Sequence, residues 1–213
     1  RKAELESRIS VLTSELSEVS DALHSAREMA SVRFAADIQA TIREMELPYS
    51  SFEVAVVEAP LSATGHDSVV FRFSATGRNP VEVSKCASGG EMSRIMLALK
   101  AMMARYANMP TMIFDEIDTG VSGSVADKMG SVICSMGKYM QVFAITHLPQ
   151  VAAKGSAHYL VSKDIDPASG AAVSKIERLS GEQRVLEIAR MLSGSVLTDE
   201  AVANAKSLLE TSR

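Results

Sequence analysis

Thr111-Met112-Ile113-Phe114-Asp115-Glu116 runs a short apolar segment directly into two carboxylates. A run this short and apolar predicts a buried strand. Open α/β sheets take their ligands at the C-terminal ends of their strands, which is where the two acids stand. In phosphoryl transfer, the first acid of such a pair can hold Mg²⁺, usually through a water, and the second can polarise an attacking water as general base. The plainer alternative is that Asp115 and Glu116 only cap the next helix. Ile117-Asp118-Thr119-Gly120 follows and could place Asp118 across a protomer boundary.

Working outward, the residues before this strand predict a helix over 91–107, entered through Ser88-Gly89-Gly90-Glu91. Two glycines let the backbone approach a ligand closely. Ser88 and the amides after it stand where a helix N-terminus gathers partial positive charge, which suits a phosphate. A plain turn with an N-cap serine is the competing reading. Beyond the strand, a helix is expected over 125–136 and a second buried strand over 141–145, which ends in Thr146-His147. That tip could bring an imidazole to the same edge as the acids, although a lone histidine is more often structural than catalytic. A third strand is expected over 159–161, and two helices over 182–192 and 199–209. Short apolar strands alternating with helices predict an α/β fold with a mainly parallel sheet flanked by helices.

The N-terminal part has a different texture. Leu5, Ile9, Leu12, Leu16, Val19, Leu23, Ala26 and Ala30 recur at alternating steps of four and three, the a/d spacing of a coiled-coil seam. An amphipathic helix lying on a globular core is the alternative, but the polar positions leave only a narrow apolar stripe, which favours a single partner helix. Phe34, Ile38, Ile42 and Met45 continue with bulkier groups, and Pro48 is expected to end the helix. Residues 1–47 therefore read as a coiled-coil arm segment with an entry helix, and 48–213 as the globular part. Within the latter, 52–57 and 68–73 predict two antiparallel strands.

The whole chain has 213 residues, 46% hydrophobic and 23% charged, enough for one sizeable core and against disorder throughout. Its net charge of −4 offers no global basic field to hold nucleic acid. Cys86 and Cys134 form no C-x-x-C pair or disulfide framework, which fits a reducing cytoplasm. No run approaches a membrane span, so no membrane partner is expected. The chain opens on Arg1 inside a helical pattern, as a piece of a longer protein would. His24, His66 and His158 are scattered without metal-binding spacing, which argues against a structural zinc site.

Taken in order, Ser88-Gly89-Gly90-Glu91 before a helix, an apolar strand into Asp115-Glu116, Asp118, and a strand tip at His147 resemble the C-terminal lobe of ATP-binding-cassette ATPase heads. Glu91, where transporters usually carry Gln, favours the SMC-like branch. Lys85-Cys86-Ala87-Ser88 through Lys100, Phe114 through Gly123, Thr146-His147-Leu148-Pro149-Gln150-Val151-Ala152 and the tail Leu179 through Leu192 are similar to the RecN family of that branch. The resemblance covers about Phe52 to the end. It implies that Ser88, Gly89, Gly90 and Glu91 form the signature that meets the γ-phosphate of ATP held by an opposing protomer. Asp115 would be the Walker B magnesium residue, Glu116 the catalytic base, Asp118 the D-loop acid and His147 the switch histidine. ATP and Mg²⁺ are the implied cofactors, and repair of DNA double-strand breaks in the cytoplasm, at the nucleoid, is the implied role.

A P-loop, G-x-x-x-x-G-K-[ST], is required by this class and is absent from the 213 residues; Gly137-Lys138 is followed by Tyr139. The resemblance implies that an N-terminal head lobe supplies it, that a second head completes a homodimer around ATP, and that DNA is held by the full-length protein. The chain alone is expected to hydrolyse no ATP. A non-hydrolysing assembly module built on the coiled coil stays open beside this reading.

Overall fold

The computed structural model describes every residue except 87, 116, 118, 119, 122, 166–169, 195 and 213. It divides into two compact units, Arg1–Ile95 and Met96–Arg213.

In the first unit, neither Gly nor Pro interrupts residues 2–44, and the segment forms one helix, α1 (Lys2–Glu44), about 65 Å long at 1.5 Å per residue. Its two ends differ. Leu5, Ile9, Leu12, Leu16 and Val19 are exposed, whereas Ile38, Ile42 and Met45 are fully buried. The buried end packs on a hairpin of β1 (Ser51–Ser62) and β2 (Gly65–Ser74). These strands are antiparallel as expected, with Phe52 opposite Phe73, and both rings are buried. Phe34 of α1 stacks on Phe71 with centroids 5.9 Å apart. The Phe52 amide donates to the Gln39 side-chain oxygen at 3.1 Å, and Arg43 donates to the Ser50 carbonyl at 3.3 Å. The helix ends at Glu44, short of Pro48: the Met45 amide turns back to the Ile42 carbonyl and Glu46 takes a left-handed φ of 64°. Gly65 opens β2 at a φ of +94°, and a Cβ there would lie 3.1 Å from Leu23 Cδ2. The left-handed φ favours glycine here, and its lack of a Cβ spares Leu23 a tight contact. A two-residue strand, β3 (Val81–Glu82), joins the far edge of β2.

Helix α2 (Gly89–Tyr106) runs through the boundary into the second unit. There β4 (Thr111–Asp115) and β5 (Gln141–Ile145) pair in parallel around α3 (Gly123–Met136). Met112 and Phe114 are buried, as are Ala126, Met129, Ile133 and Met136 of α3. Then come α4 (Pro149–Lys154), β6 (Tyr159–Ile165), β7 (Ala172–Arg178), α5 (Gly181–Ser193) and α6 (Asp199–Thr211). Gly130 of α3 lets α4 come close, since a Cβ there would lie 3.2 Å from Val151 Cα. Ala153, Ile188, Ala189, Ala201 and Ala205 form a small core where α4, α5 and α6 meet. Helix α5 opens with a reciprocal cap in which the Ser180 hydroxyl accepts from the Gln183 amide and the Gln183 side chain accepts from the Ser180 amide.

The α/β class holds, with two corrections to the sheet. Residues 159–161, expected as a third strand of the parallel series, belong to β6, which pairs antiparallel with β7. The partner strand was not anticipated because Ala172-Val173-Ser174-Lys175-Ile176-Glu177-Arg178 lacks strict alternation of apolar and polar residues; pairing with β6 specifies it instead. Strands β4 and β5, expected to be buried, are so only in part: Met112 and Phe114 of β4 are buried, whereas in β5 Val142 alone is half-buried. Ile113, Phe143 and Ile145 are exposed, and Ile113 sits opposite Phe143 in the register.

Candidate functional site

Parallel register determines what the second unit can gather. Asp115 pairs with Ile145 at the last rung of β4 and β5, so Asp115 and His147, two residues past that rung, lie at the same C-terminal edge. Both are exposed. The chain leaves β5 in a tight turn, in which the Leu148 amide donates to the Thr146 hydroxyl at 2.9 Å, and enters α4 through Pro149. Arg184 anchors that helix from α5: its Nη2 donates to the carbonyls of Ala153 at 2.7 Å and Gly155 at 2.6 Å, capping α4 at its C-terminal end. Composition singled out nothing about Arg184; only the fold shows that it ties the tail to the element following His147. Glu116 and Asp118 lie outside the described residues.

The first unit holds the other group. Ser88 precedes α2, accepting from the Glu91 amide through its hydroxyl at 3.4 Å and from the Met92 amide through its carbonyl at 3.0 Å. Its side chain caps the helix at the Glu91 amide, and of the first-turn amides those of Gly89 and Gly90 lie ahead of the first intrahelical acceptor. Ser88 and Gly89 are exposed, and no atom lies within 4 Å of where a Cβ on Gly89 would sit. Open space before the first turn of an 18-residue helix suits an anion. Burial pushes the neighbouring Cys86 thiol up, and the Glu91 carboxylate adds to this, both favouring the neutral thiol over the thiolate. Gly90 and Glu91 complete the turn, half-buried.

No family model matches the sequence. Curated relatives do. The DNA repair protein RecN of Vibrio cholerae is 36% identical over 212 residues, 96% of this chain and 37% of that protein. RecN of Deinococcus radiodurans is 37% identical over 207 residues, 96% of this chain and 36% of that protein. The chain belongs to the RecN family. It spans a little over a third of the length of the curated relatives it matches.

Among solved structures, the Smc head domain with coiled coil and joint from Pyrococcus yayanosii matches this RecN-family chain with a TM-score of 0.67 at 20% identity, covering 90% of this chain and 34% of that one. The corresponding head with an extended coiled coil from Pyrococcus furiosus matches with a TM-score of 0.60 at 20% identity, covering 89% and 44%. The fold is that of an SMC head domain, with the long α1 in keeping with an arm. No helix among the described residues is long and apolar enough to cross a membrane.

Proposed function

We propose that this chain is the C-terminal part of an SMC-like ATPase head acting in the repair of DNA double-strand breaks, and that it contributes half of a composite ATP site. The observation that carries the reading is the parallel register of β4 and β5, because it sets Asp115 and His147 at one sheet edge. Asp115 presents an exposed carboxylate, a hard oxygen donor suited to Mg²⁺ directly or through a water. Glu116 follows it and acts as the base that takes a proton from the attacking water. His147 meets the γ-phosphate, Asp118 faces the neighbouring protomer, and Ser88, Gly89, Gly90 and Glu91 present the signature to nucleotide held by a second head. Bound ATP supplies the phosphoryl group and Mg²⁺ neutralises charge developing on it.

The remaining head lobe brings the P-loop. The exposed row of Ile113, Phe143 and Ile145 supports a lobe that covers the open face of β4 and β5. Residues 1–47 form the arm segment and its entry, with the exposed seam of α1 paired to another helix; residues 48–213 form the lobe. DNA is engaged by the full-length protein in the cytoplasm, at the nucleoid, and two heads form a homodimer around ATP.

The test is ATP hydrolysis by the purified chain with and without an added N-terminal lobe containing a P-loop, using Glu116→Gln as control. Turnover is expected only in the reconstituted, unmutated pair, and loss of the base should reduce it about 10² to 10⁴-fold. Turnover by the chain alone, abolished by Glu116→Gln, would overturn the need for a second lobe. Turnover in neither mixture would replace the ATPase by a non-hydrolysing assembly module.

A further inference from the structure

Two of the three histidines scattered along the sequence meet in space. His24 on α1 and the adjacent pair His66-Asp67 on β2 meet where the hairpin tip reaches the helix, and one ligand atom from each of the three lies within 4.8 Å of the others. The His24 Nδ1 to Asp67 Oδ1 distance is 2.6 Å, and His66 Nε2 lies 3.8 Å from the same oxygen. The two imidazoles stack with centroids 5.7 Å apart. We propose that His24, His66 and Asp67 form a binding site for a divalent transition-metal ion of the zinc class, which clips α1 to the β1–β2 hairpin.

Four features of the cluster support it. The donors are two imidazole nitrogens and one carboxylate oxygen, a set that zinc and its neighbours in the first transition row favour. Metal–ligand bonds of about 2.0–2.2 Å place tetrahedral ligand atoms roughly 3.3 Å apart, within the spread already present. Small rotations of the two rings, 32% and 25% exposed, close the difference.

The carboxylate is held in place: the Asp67 side chain is fully buried and its Oδ2 accepts from Arg27 at 3.2 Å, while Oδ1 shares a proton with His24 Nδ1 at 2.6 Å, a proton that an entering metal ion displaces to solvent. An outer shell is also in place. If His24 ligates through Nδ1, its Nε2 points to Glu28 at 3.5 Å, the carboxylate–histidine–metal relay that orients ligating imidazoles. Asp21 lies 3.8 Å from His66 Nε2 and, with water, can fill the fourth position.

Charge is consistent as well. Asp21, Glu28 and Asp67 outnumber Arg27, so with neutral imidazoles the cluster carries a net charge of −2 before a cation enters. Gly65, immediately before His66 and Asp67, lies against the same face of α1: a Cβ there would sit 3.1 Å from Leu23 Cδ2 and 3.4 Å from Arg27 Nη1. Linear spacing could not show this, because His24 and Asp67 are 43 residues apart.

Cobalt(II) titration of the whole 213-residue chain tests the proposal, since tetrahedral cobalt on nitrogen and oxygen gives an intense visible ligand-field band that zinc displaces. The band is expected, together with a rise in Tm on adding zinc that a chelator reverses. His66→Gln should abolish both while leaving the His24–Asp67–Arg27 ion pair and the far-UV circular dichroism intact. Glu28→Gln, at an exposed side chain, should weaken binding about 10-fold without touching a ligand. Absence of the band would overturn the site and leave the cluster an ion-pair latch. A band unchanged in both variants, or a sulfur charge-transfer band pointing to Cys86 or Cys134, would overturn it equally.

Discussion

Of the three sheets among the described residues, two have opposite fates. In the first unit, α1 lies on the β1–β2 hairpin, Phe52 and Phe73 are buried, and the half-buried Phe34 and Phe71 stack on one another. In the second, β4 and β5 bury Met112 and Phe114 on one face and leave Ile113, Phe143 and Ile145 uncovered on the other. The first sheet finds a core within its own unit, although Val57, Leu61, Val69 and Val81 toward its edges stay exposed. The second is complete only as a platform, with a chemically useful edge and an unoccupied apolar face. A surface of that kind signals a partner more clearly than any single residue does.

The sharpest way to break the contrast is to damage the self-sufficient sheet. Phe73 is 2% exposed, and Phe73→Ala removes a ring that nothing outside the unit can replace. A loss of about 3–5 kcal/mol is expected, read as a fall in the denaturant midpoint by circular dichroism. A loss below about 1 kcal/mol would mean that the hairpin, too, relies on something beyond this chain. Next in size is Gly65→Ala. The left-handed φ of +94° costs an L-residue about 1–2 kcal/mol, while the crowded Leu23 Cδ2 can swing aside because that side chain is 36% exposed. The change should loosen the hairpin tip, measured as faster amide exchange over residues 62–67, without unfolding the unit.

How far the sequence alone reaches follows the same division. Where one periodicity dominates, the reading holds: unbroken heptad steps gave α1, and β-branched runs separated by Pro60 and Gly65 gave the antiparallel hairpin. The acids after Phe114 and the histidine after Ile145 identified the strand tips, because an abrupt change from apolar to ionisable residues is local information. Three things were not local. Strand β7 exists through its pairing with β6, not through its own pattern. Exposure of β5 depends on what covers it, and an apolar run reads the same whether its cover lies in this chain or another. The His24, His66 and Asp67 cluster needs the fold to close a gap of more than forty residues. Local chemistry was legible; chemistry assembled by topology was not.

The smallest expected effect is also the one that best separates the two sheets. Ile113 is 64% exposed, and replacing it with Gln removes apolar surface that is already in water. The isolated chain should therefore change by less than about 0.5 kcal/mol, in contrast to the loss at Phe73. Binding of an N-terminal lobe should respond differently. If that lobe covers Ile113 and Phe143, the polar amide has to be desolvated without a partner, which costs about 1–3 kcal/mol, a weakening of roughly 5- to 150-fold in association. Calorimetric titration of the two lobes, beside thermal melts of the chain alone, reads both quantities. Unchanged melting with weakened association makes this face the seam between lobes. A large drop in melting temperature would instead show that the face is covered within the chain itself, and the contrast between the sheets would disappear.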